Sequence, residues 1–237
     1  KDGEQERVIT QLGTVLLRIR AAYKLPSKIL NEENEDSTSD KEKNASDKKT
    51  NNINIPGGLL SKNISDYTRE DVTKWVGAFQ PLLRRAWEKP ANRFRFGCPF
   101  FVELIAVQLQ GVKLVSGYVP RDVQILVVCS LLDAMHGQSA RGGPQTVKGR
   151  LVQAETGEGK SLLVGMVSTA ISLLGFQRVD VITSNKVLAV EGWEEWSPFM
   201  ELFTVKAHNN CDALAESGQR GELERTRRYS KIRNKKY

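Results

Sequence analysis

Histidine and cysteine are nearly missing from this chain. His136 and His208 are its imidazoles, and Cys98, Cys129 and Cys211 are odd in number and far apart in 237 residues. That usage argues against a disulfide scaffold and suits a reducing compartment. His208 and Cys211 have ligand-like spacing but no accompanying pair, so a zinc site is not expected and both read as loop residues. Long apolar runs are lacking too, and none is read as long enough to span a bilayer. From Asn31 to Asn52 the sequence holds one Ala and no larger apolar residue. Nothing there could offset the entropy of ordering, which predicts a disordered linker. The chain opens on Lys1 with no Met, charged leader or small-residue cleavage site, so a targeting peptide is neither found nor excluded.

Positive charge is present but unevenly placed. The net charge is +7, yet residues 220–237 alone carry eight Lys/Arg against two Glu, leaving about +1 upstream. The basic character therefore belongs to a tail (Arg225, Arg227, Arg228, Lys231, Arg233, Lys235, Lys236) and not to a face of the fold. Nucleic-acid modules carry a basic stripe with interleaved aromatics, which this chain does not show. A solvated charge run is the default reading, with contact to RNA or acidic lipid as the alternative.

What is abundant is helical periodicity. Val8, Ile9, Leu12, Val15, Leu16, Ile19, Ala22 and Tyr23 form one stripe, with Arg18, Arg20 and Lys24 towards the end where cations suit the helix dipole. Packing against another helix is favoured for this segment over lying on a membrane. Ser65 to Asp71 reads as a capped start, followed by Val72, Trp75, Val76, Phe79, Leu82 and Leu83 at helical spacing. Phe100 to Leu114 is apolar nearly all round, which predicts a buried helix. The run Ile125 to Asp133 has the look of an apolar strand ending in a metal-binding Asp. Its Pro120-Arg121-Asp122 start and its continuation through His136 to Gly137 favour a helix instead.

The richest segment is Ala154-Glu155-Thr156-Gly157-Glu158-Gly159-Lys160-Ser161. A small residue, four free positions and Gly-Lys-Ser is the pattern of a phosphate-binding loop. Gly157 and Gly159 can take backbone angles that let successive N–H groups curl around phosphate oxygens. Lys160 would bring a mobile charge to the outer phosphates, and the Ser161 hydroxyl is a candidate Mg²⁺ ligand. Context supports the pattern. Gly149 to Ala154 reads as a strand, Ser161 to Leu174 as a buried helix, and Val179 to Thr183 as a second strand with the apolar run of a parallel sheet. A helix over Lys186 to Phe203 with Trp193, Trp196, Phe199, Met200 and Phe203 on its apolar face, then a third strand over Phe203 to Ala207, completes a βαβαβ order.

Three landmarks resemble the SecA preprotein-translocase family. These are Arg121-Asp122-Val123-Gln124 about thirty residues before the loop, the Glu between glycines in Thr156-Gly157-Glu158-Gly159-Lys160-Ser161, and Val181 to Ala189. The resemblance covers roughly residues 100–210, with the loop as its specific part. It implies an α/β fold, a partial P-loop (RecA-like) parallel sheet with flanking helices, preceded by a mostly helical N-terminal region. The corresponding divisions are an amphipathic helix (1–30), a linker (31–60), a helical region (61–120) and a partial SecA-like nucleotide-binding domain (121–237).

The resemblance also implies ATP and Mg²⁺ as cofactors. Gln124 would read adenine, Glu155, Thr156, Gly157, Glu158, Gly159, Lys160 and Ser161 would form the phosphate site, and Ser161 would meet the metal. It implies an unfolded polypeptide substrate, a membrane channel and the remainder of a parent chain as partners, at a cytoplasmic or peripheral-membrane location. The departures are Arg121 where the family has an aromatic, Lys186-Val187 where it has Asp-Tyr, and Glu191-Gly192 where it has Arg-Asp. No apolar strand ending in Asp-Glu follows residue 207, so this chain is expected to bind ATP and turn it over negligibly, as part of a longer motor. A superfamily-2 helicase and a non-hydrolysing ATP-binding module stand as the alternatives.

Overall fold

A computed structural model describes residues 2–31, 57–88, 98–136, 151–174, 179–211 and 222–227. Six helices organise them: α1 (Asp2–Tyr23), α2 (Arg69–Glu88), α3 (Pro99–Ser116), α4 (Asp122–His136), α5 (Lys160–Leu173) and α6 (Lys186–Leu202). The chain divides into two compact units, residues 1–153 and 154–237.

In the first unit, α3 is the central element. Cys98 caps its start, its Sγ accepting from the Phe101 N–H at 3.4 Å, with Pro99 in the first turn. Gly117, at φ 83°, ends it in the left-handed conformation that glycine takes without a Cβ clash. Residues 101–112 are all buried, as the all-round apolar pattern predicts. The helix is long and apolar enough to cross a membrane, which the reading of short apolar runs missed. Its burial, though, is that of a core helix packed by its neighbours.

α1 and α2 supply those neighbours. Val15, Ile19 and Tyr23 bury one stripe of α1, which packs on α3 and α4, so the predicted helix–helix contact is the one formed. The predicted stripe of α2, Val72, Trp75, Val76, Phe79, Leu82 and Leu83, is buried throughout. Its Trp75 and Phe79 rings stack 4.1 Å apart. The capped start is a reciprocal box. Thr68 N–H donates to Asp71 Oδ2 at 2.9 Å, and the Asp71 N–H donates to Thr68 Oγ1 at 3.3 Å.

A buried carboxylate ties the unit together. Glu103 on α3 accepts from the Ser27 hydroxyl, the Lys28 and Ile29 N–H groups at 3.0 and 3.2 Å, and the Trp75 indole N–H at 2.9 Å. Burial pushes this carboxyl above its usual range, against the pull of those four donors. Beside it, Tyr23 Oη donates to Gln110 Oε1 at 2.9 Å, and Gln110 Nε2 donates to the Tyr67 carbonyl at 2.7 Å.

The linker expected over 31–60 lies mostly outside the described residues, but its two ends are seen and they meet. Pro26 and Asn63 form an antiparallel bridge, Ile64 N–H donates to the Leu25 carbonyl at 3.0 Å, and Asn31 Nδ2 donates to the Leu60 carbonyl at 3.2 Å. Gly57–Leu60 forms a helical turn with Leu59 buried.

The second unit pairs α5 with α6. Trp196, Phe199 and Phe203 form a ring cluster with centroid spacings of 5.9 and 5.0 Å. Gly165 lets α6 approach closely: a Cβ there would lie 3.1 Å from Trp196 Cγ.

No parallel sheet is seen among the described residues. Among the described residues there is no strand, and the α/β expectation gives way to a helical architecture. The reason is visible at each predicted strand. Leu151 and Ile182 are 98% and 91% exposed, and 151–154 and 179–183 take no strand conformation. A strand exists through hydrogen bonds to a neighbour, and an apolar run without one stays irregular. Residues 149–150 lie outside the described set. The third strand is taken up by the end of α6. Thr204 N–H donates to the Glu201 carbonyl and Val205 N–H to the Met200 carbonyl, both at 2.9 Å. That is a Schellman cap, with Thr204 at φ 58° in the place glycine usually fills.

Candidate nucleotide-binding site

The turn that enters α5 is built around two left-handed glycines. Gly157 has φ 87° and Gly159 has φ 79°, while Glu158 between them keeps a negative φ. Alternating handedness over three residues turns successive N–H groups to one side, the geometry of an anion-binding nest. Gly159 is also the N-cap of α5 and offers no side-chain bond to it, so the first-turn amides are left for an outside acceptor. The α5 interior is apolar and buried at Leu162, Leu163, Met166, Ala170 and Leu173. The nest therefore sits on a helix anchored by its own packing against α6.

Lys160 and Ser161 open α5 and both are exposed. The Lys160 ammonium folds back to donate to the Glu155 carbonyl at 3.0 Å, and the Glu158 N–H donates to the same carbonyl at 3.3 Å. Glu155 and Glu158 bring two carboxylates to a loop with a single lysine. Backbone amides, an ammonium and a hydroxyl form a donor set that fits a polyphosphate. The acidic pair favours one that arrives with its cation. Residues 154–159 form the turn, and Lys160 and Ser161 begin α5.

Gln124 belongs to the first unit. Its side chain is 6% exposed, and its Oε1 accepts from the Arg121 N–H at 2.9 Å. The Arg121 carbonyl in turn accepts from the Ile125 N–H at 3.1 Å. Gln124 therefore sits at the third position of α4 and its side chain reaches back to satisfy the Arg121 N–H, one half of a capping box. This also resolves the Ile125 to Asp133 run as helix and not as a metal-binding strand.

Arg20 carries a contact that periodicity could not suggest. Its Nε and Nη2 donate to Asp122 Oδ1 at 2.8 and 2.6 Å, and Nη2 also donates to the Pro120 carbonyl at 2.9 Å. The partners are about a hundred residues apart in sequence, so only the fold reveals the pair. At Val181 to Ala189, Thr183 Oγ1 donates to the Asn185 carbonyl at 2.8 Å, and Asn185 Oδ1 caps α6 by accepting from Leu188 N–H at 2.9 Å. Among residues with described surroundings, no cluster of His, Cys, Asp and Glu could hold a metal ion.

Comparison with known proteins gives a consistent picture. The family model of the SecA DEAD-like domain matches residues 34–229. Two curated relatives, both named protein translocase subunit SecA 2 and from two strains of Corynebacterium glutamicum, are each 35% identical over 74 residues. That stretch is 31% of this chain and 9% of each relative, so the match spans under a tenth of the relatives' length. No solved structure matches.

Proposed function

Because the chain belongs to the SecA DEAD-like domain family, we propose that residues 154–161 bind the phosphates of MgATP for a motor that moves polypeptide at a membrane. The observation that carries this is the left–right–left turn at Gly157, Glu158 and Gly159 leading directly into the first turn of α5. In this reading the loop amides and the α5 N-terminus hold the phosphates. Lys160 exchanges its bond to the Glu155 carbonyl for the outer phosphates. The Ser161 hydroxyl ligates Mg²⁺, which when bound neutralises phosphate charge. Two loop carboxylates make the free tetra-anion a poor ligand, so affinity depends on the cation. The role of reading adenine is assigned to Gln124 by the family resemblance alone.

The proposed partners follow from family membership: an unfolded preprotein, a membrane channel, and further chain that completes the motor on the cytoplasmic face. Turnover needs an acidic pair to orient water and an arginine supplied to the transition state, the latter worth ~10³–10⁵ in rate. The 237 residues contain no strand-end Asp-Glu after residue 207, so the function proposed for this stretch is binding. Titration of the chain with a fluorescent ATP analogue, with and without Mg²⁺, tests it. Saturable binding that Lys160→Ala removes supports the reading, and tight binding that ignores both Mg²⁺ and Lys160→Ala refutes it.

A second reading, ATP binding that only stabilises an interaction surface, is favoured by Lys186-Val187 and Glu191-Gly192 in place of the family's coupling residues. Persistent turnover in a longer form of the protein, abolished by Lys160→Ala, would eliminate it.

A further inference from the structure

Glu103 takes no part in phosphate binding, yet it is an acid set inside an apolar helix. It is 3% exposed, and among the described residues no ammonium or guanidinium pairs with it. Four donors hold it instead. Oε1 accepts from the Ser27 hydroxyl and the Trp75 indole N–H, and Oε2 accepts from the Lys28 and Ile29 N–H groups. Three of the four belong to residues 27–29, the entry to a helical turn over 28–31. Ser27 also caps that turn, its Oγ accepting from the Leu30 N–H at 3.2 Å. The same stretch meets residues 57–64 through the Pro26–Asn63 bridge and the bonds of Ile64 and Asn31.

This shell accommodates a proton as well as a charge. The Ser27 hydroxyl is its one member that can reverse a hydrogen bond. A proton on Oε1 would donate to Ser27 Oγ, while the indole and both amide N–H groups keep their acceptors. Water favours the ionised form, and burial without a counter-cation disfavours it. Burial accordingly raises the carboxyl above its ordinary 4.5, against the pull of Ser27, Trp75, Ile29 and Lys28.

We propose that residues 26–31 and 57–64 form a proton-tightened latch: they open as one unit while α1, α2 and α3 stay packed, and the closed form holds best when its bolt, Glu103, is neutral. The latch does not depend on the nucleotide site. A group that binds its proton more tightly closed than open favours closure in acid. The hold is therefore fullest below 4.5 and is lost as pH rises through the higher closed value. The neighbouring groups do not supply this dependence. Burial, with the charges of Glu103 and Asp71, pushes the Tyr67 phenol up. Burial also pushes up the Tyr23 phenol, beside Arg20 and Asp66. Burial of Asp71 is outweighed by bonds from Lys62 and Thr68, which hold it down to about 2. Lys28 and Asp66 are exposed.

Hydrogen exchange of the full chain between about pH 4 and 8, corrected for the intrinsic rate of each amide, tests the latch. The Ile29, Leu30 and Ile64 amides report its opening, and Leu109 of α3 reports the packing beneath. In the parent chain the opening constant of the first three should rise with pH, by up to about tenfold per unit, and then level off. Leu109 should show no such rise. In Glu103→Gln, which cannot titrate, the three amides should open with no dependence on pH.

A flat or falling opening constant in the parent chain overturns the proposal, and so does the same slope in Glu103→Gln. A slope shared with Leu109 marks opening of the whole unit and overturns it too. Should Glu103→Gln fail to fold, a carbon NMR titration of the Glu103 carboxyl in the parent chain decides. A value above 4.5 supports the latch, and a value at or below it overturns it.

Discussion

Replacing Gly165 by Ala should destabilise the second unit, although the same change at most helix interiors does the opposite. Gly→Ala inside a helix gains about 1 kcal/mol from backbone entropy. At Gly165 that gain meets an obstacle, because the added Cβ would lie 3.1 Å from Trp196 Cδ2 and Cγ and 3.3 Å from its Cβ. The indole has little room to retreat: Trp196 is 3% exposed and set edge-on to Phe199 at 5.9 Å. Overpacking of this kind costs about 1–3 kcal/mol, so the net loss reaches about 2 kcal/mol. Gly192 on α6 is the internal control, since a Cβ there meets nothing within 4 Å. Gly192→Ala should gain about 0.5–1 kcal/mol. Urea unfolding followed by circular dichroism and tryptophan emission reads both, and a domain this size melts about 4–8 °C lower per kcal/mol lost. If Gly165→Ala stabilises as much as Gly192→Ala, the close packing of α5 on α6 is refuted.

Gly157→Ala forces a side chain onto φ 87°, at about 1–2 kcal/mol of strain, and should weaken nucleotide binding in the same titration. Unchanged affinity would mean the nest is not used. Lys160→Ala removes a charged contact of about 1.5–3 kcal/mol, so affinity should fall by one to two orders of magnitude. For Asp71, burial disfavours the charge, but hydrogen bonds from Lys62 at 2.5 Å and from Thr68 outweigh it and hold the carboxyl down to about 2. Its folded value lies below the ordinary 3.8. Its stabilisation is therefore complete above that value and disappears as pH falls through about 2. The stability gap between the parent chain and Asp71→Asn should be flat near neutrality and shrink between those limits, and a gap independent of acid pH contradicts the assignment. Burial, with the Asp133 charge adding, pushes the Cys129 thiol up to about 12. A thiol reagent should therefore label Cys98 and Cys211 in the native chain and Cys129 only in denaturant.

The helices were legible because each carries its own evidence. The α2 stripe and the all-round apolar α3 are properties of contiguous residues, and burial follows the pattern at Trp75, Phe79 and residues 101–112. The glycine turn that leads into α5 was legible for the same reason, since two glycines and a helix start lie within eight residues. Strands carry no such local guarantee. Val179 to Thr183 has the composition of a central strand, yet the bonds that would make it one belong to a partner, and Ile182 is left 91% exposed. Phe203 to Val205 reads as strand by residue type, but its backbone is consumed in capping α6. Polar ties across long sequence separations were the least legible. Glu103 looks like an isolated acid in an apolar helix, and nothing near it in sequence announces Ser27 or Trp75. The bond from the Arg121 N–H to Gln124 became visible only once α4 was seen to begin at Asp122.

The meeting of the two chain ends around Pro26 and Asn63 has a practical reach. The fold on either side is clasped by the Pro26–Asn63 bridge, the Ile64 and Asn31 bonds and the Glu103 carboxylate. The residues that precede position 32 and follow position 56 are thereby held side by side. Doubling the length of a loop closed in this way costs only ~0.6 kcal/mol. A fluorescent domain, an affinity handle or a cleavage sequence could therefore be carried there while the helices below remain as they are. That gives an observer a handle on the protein that leaves the described helices unchanged in sequence.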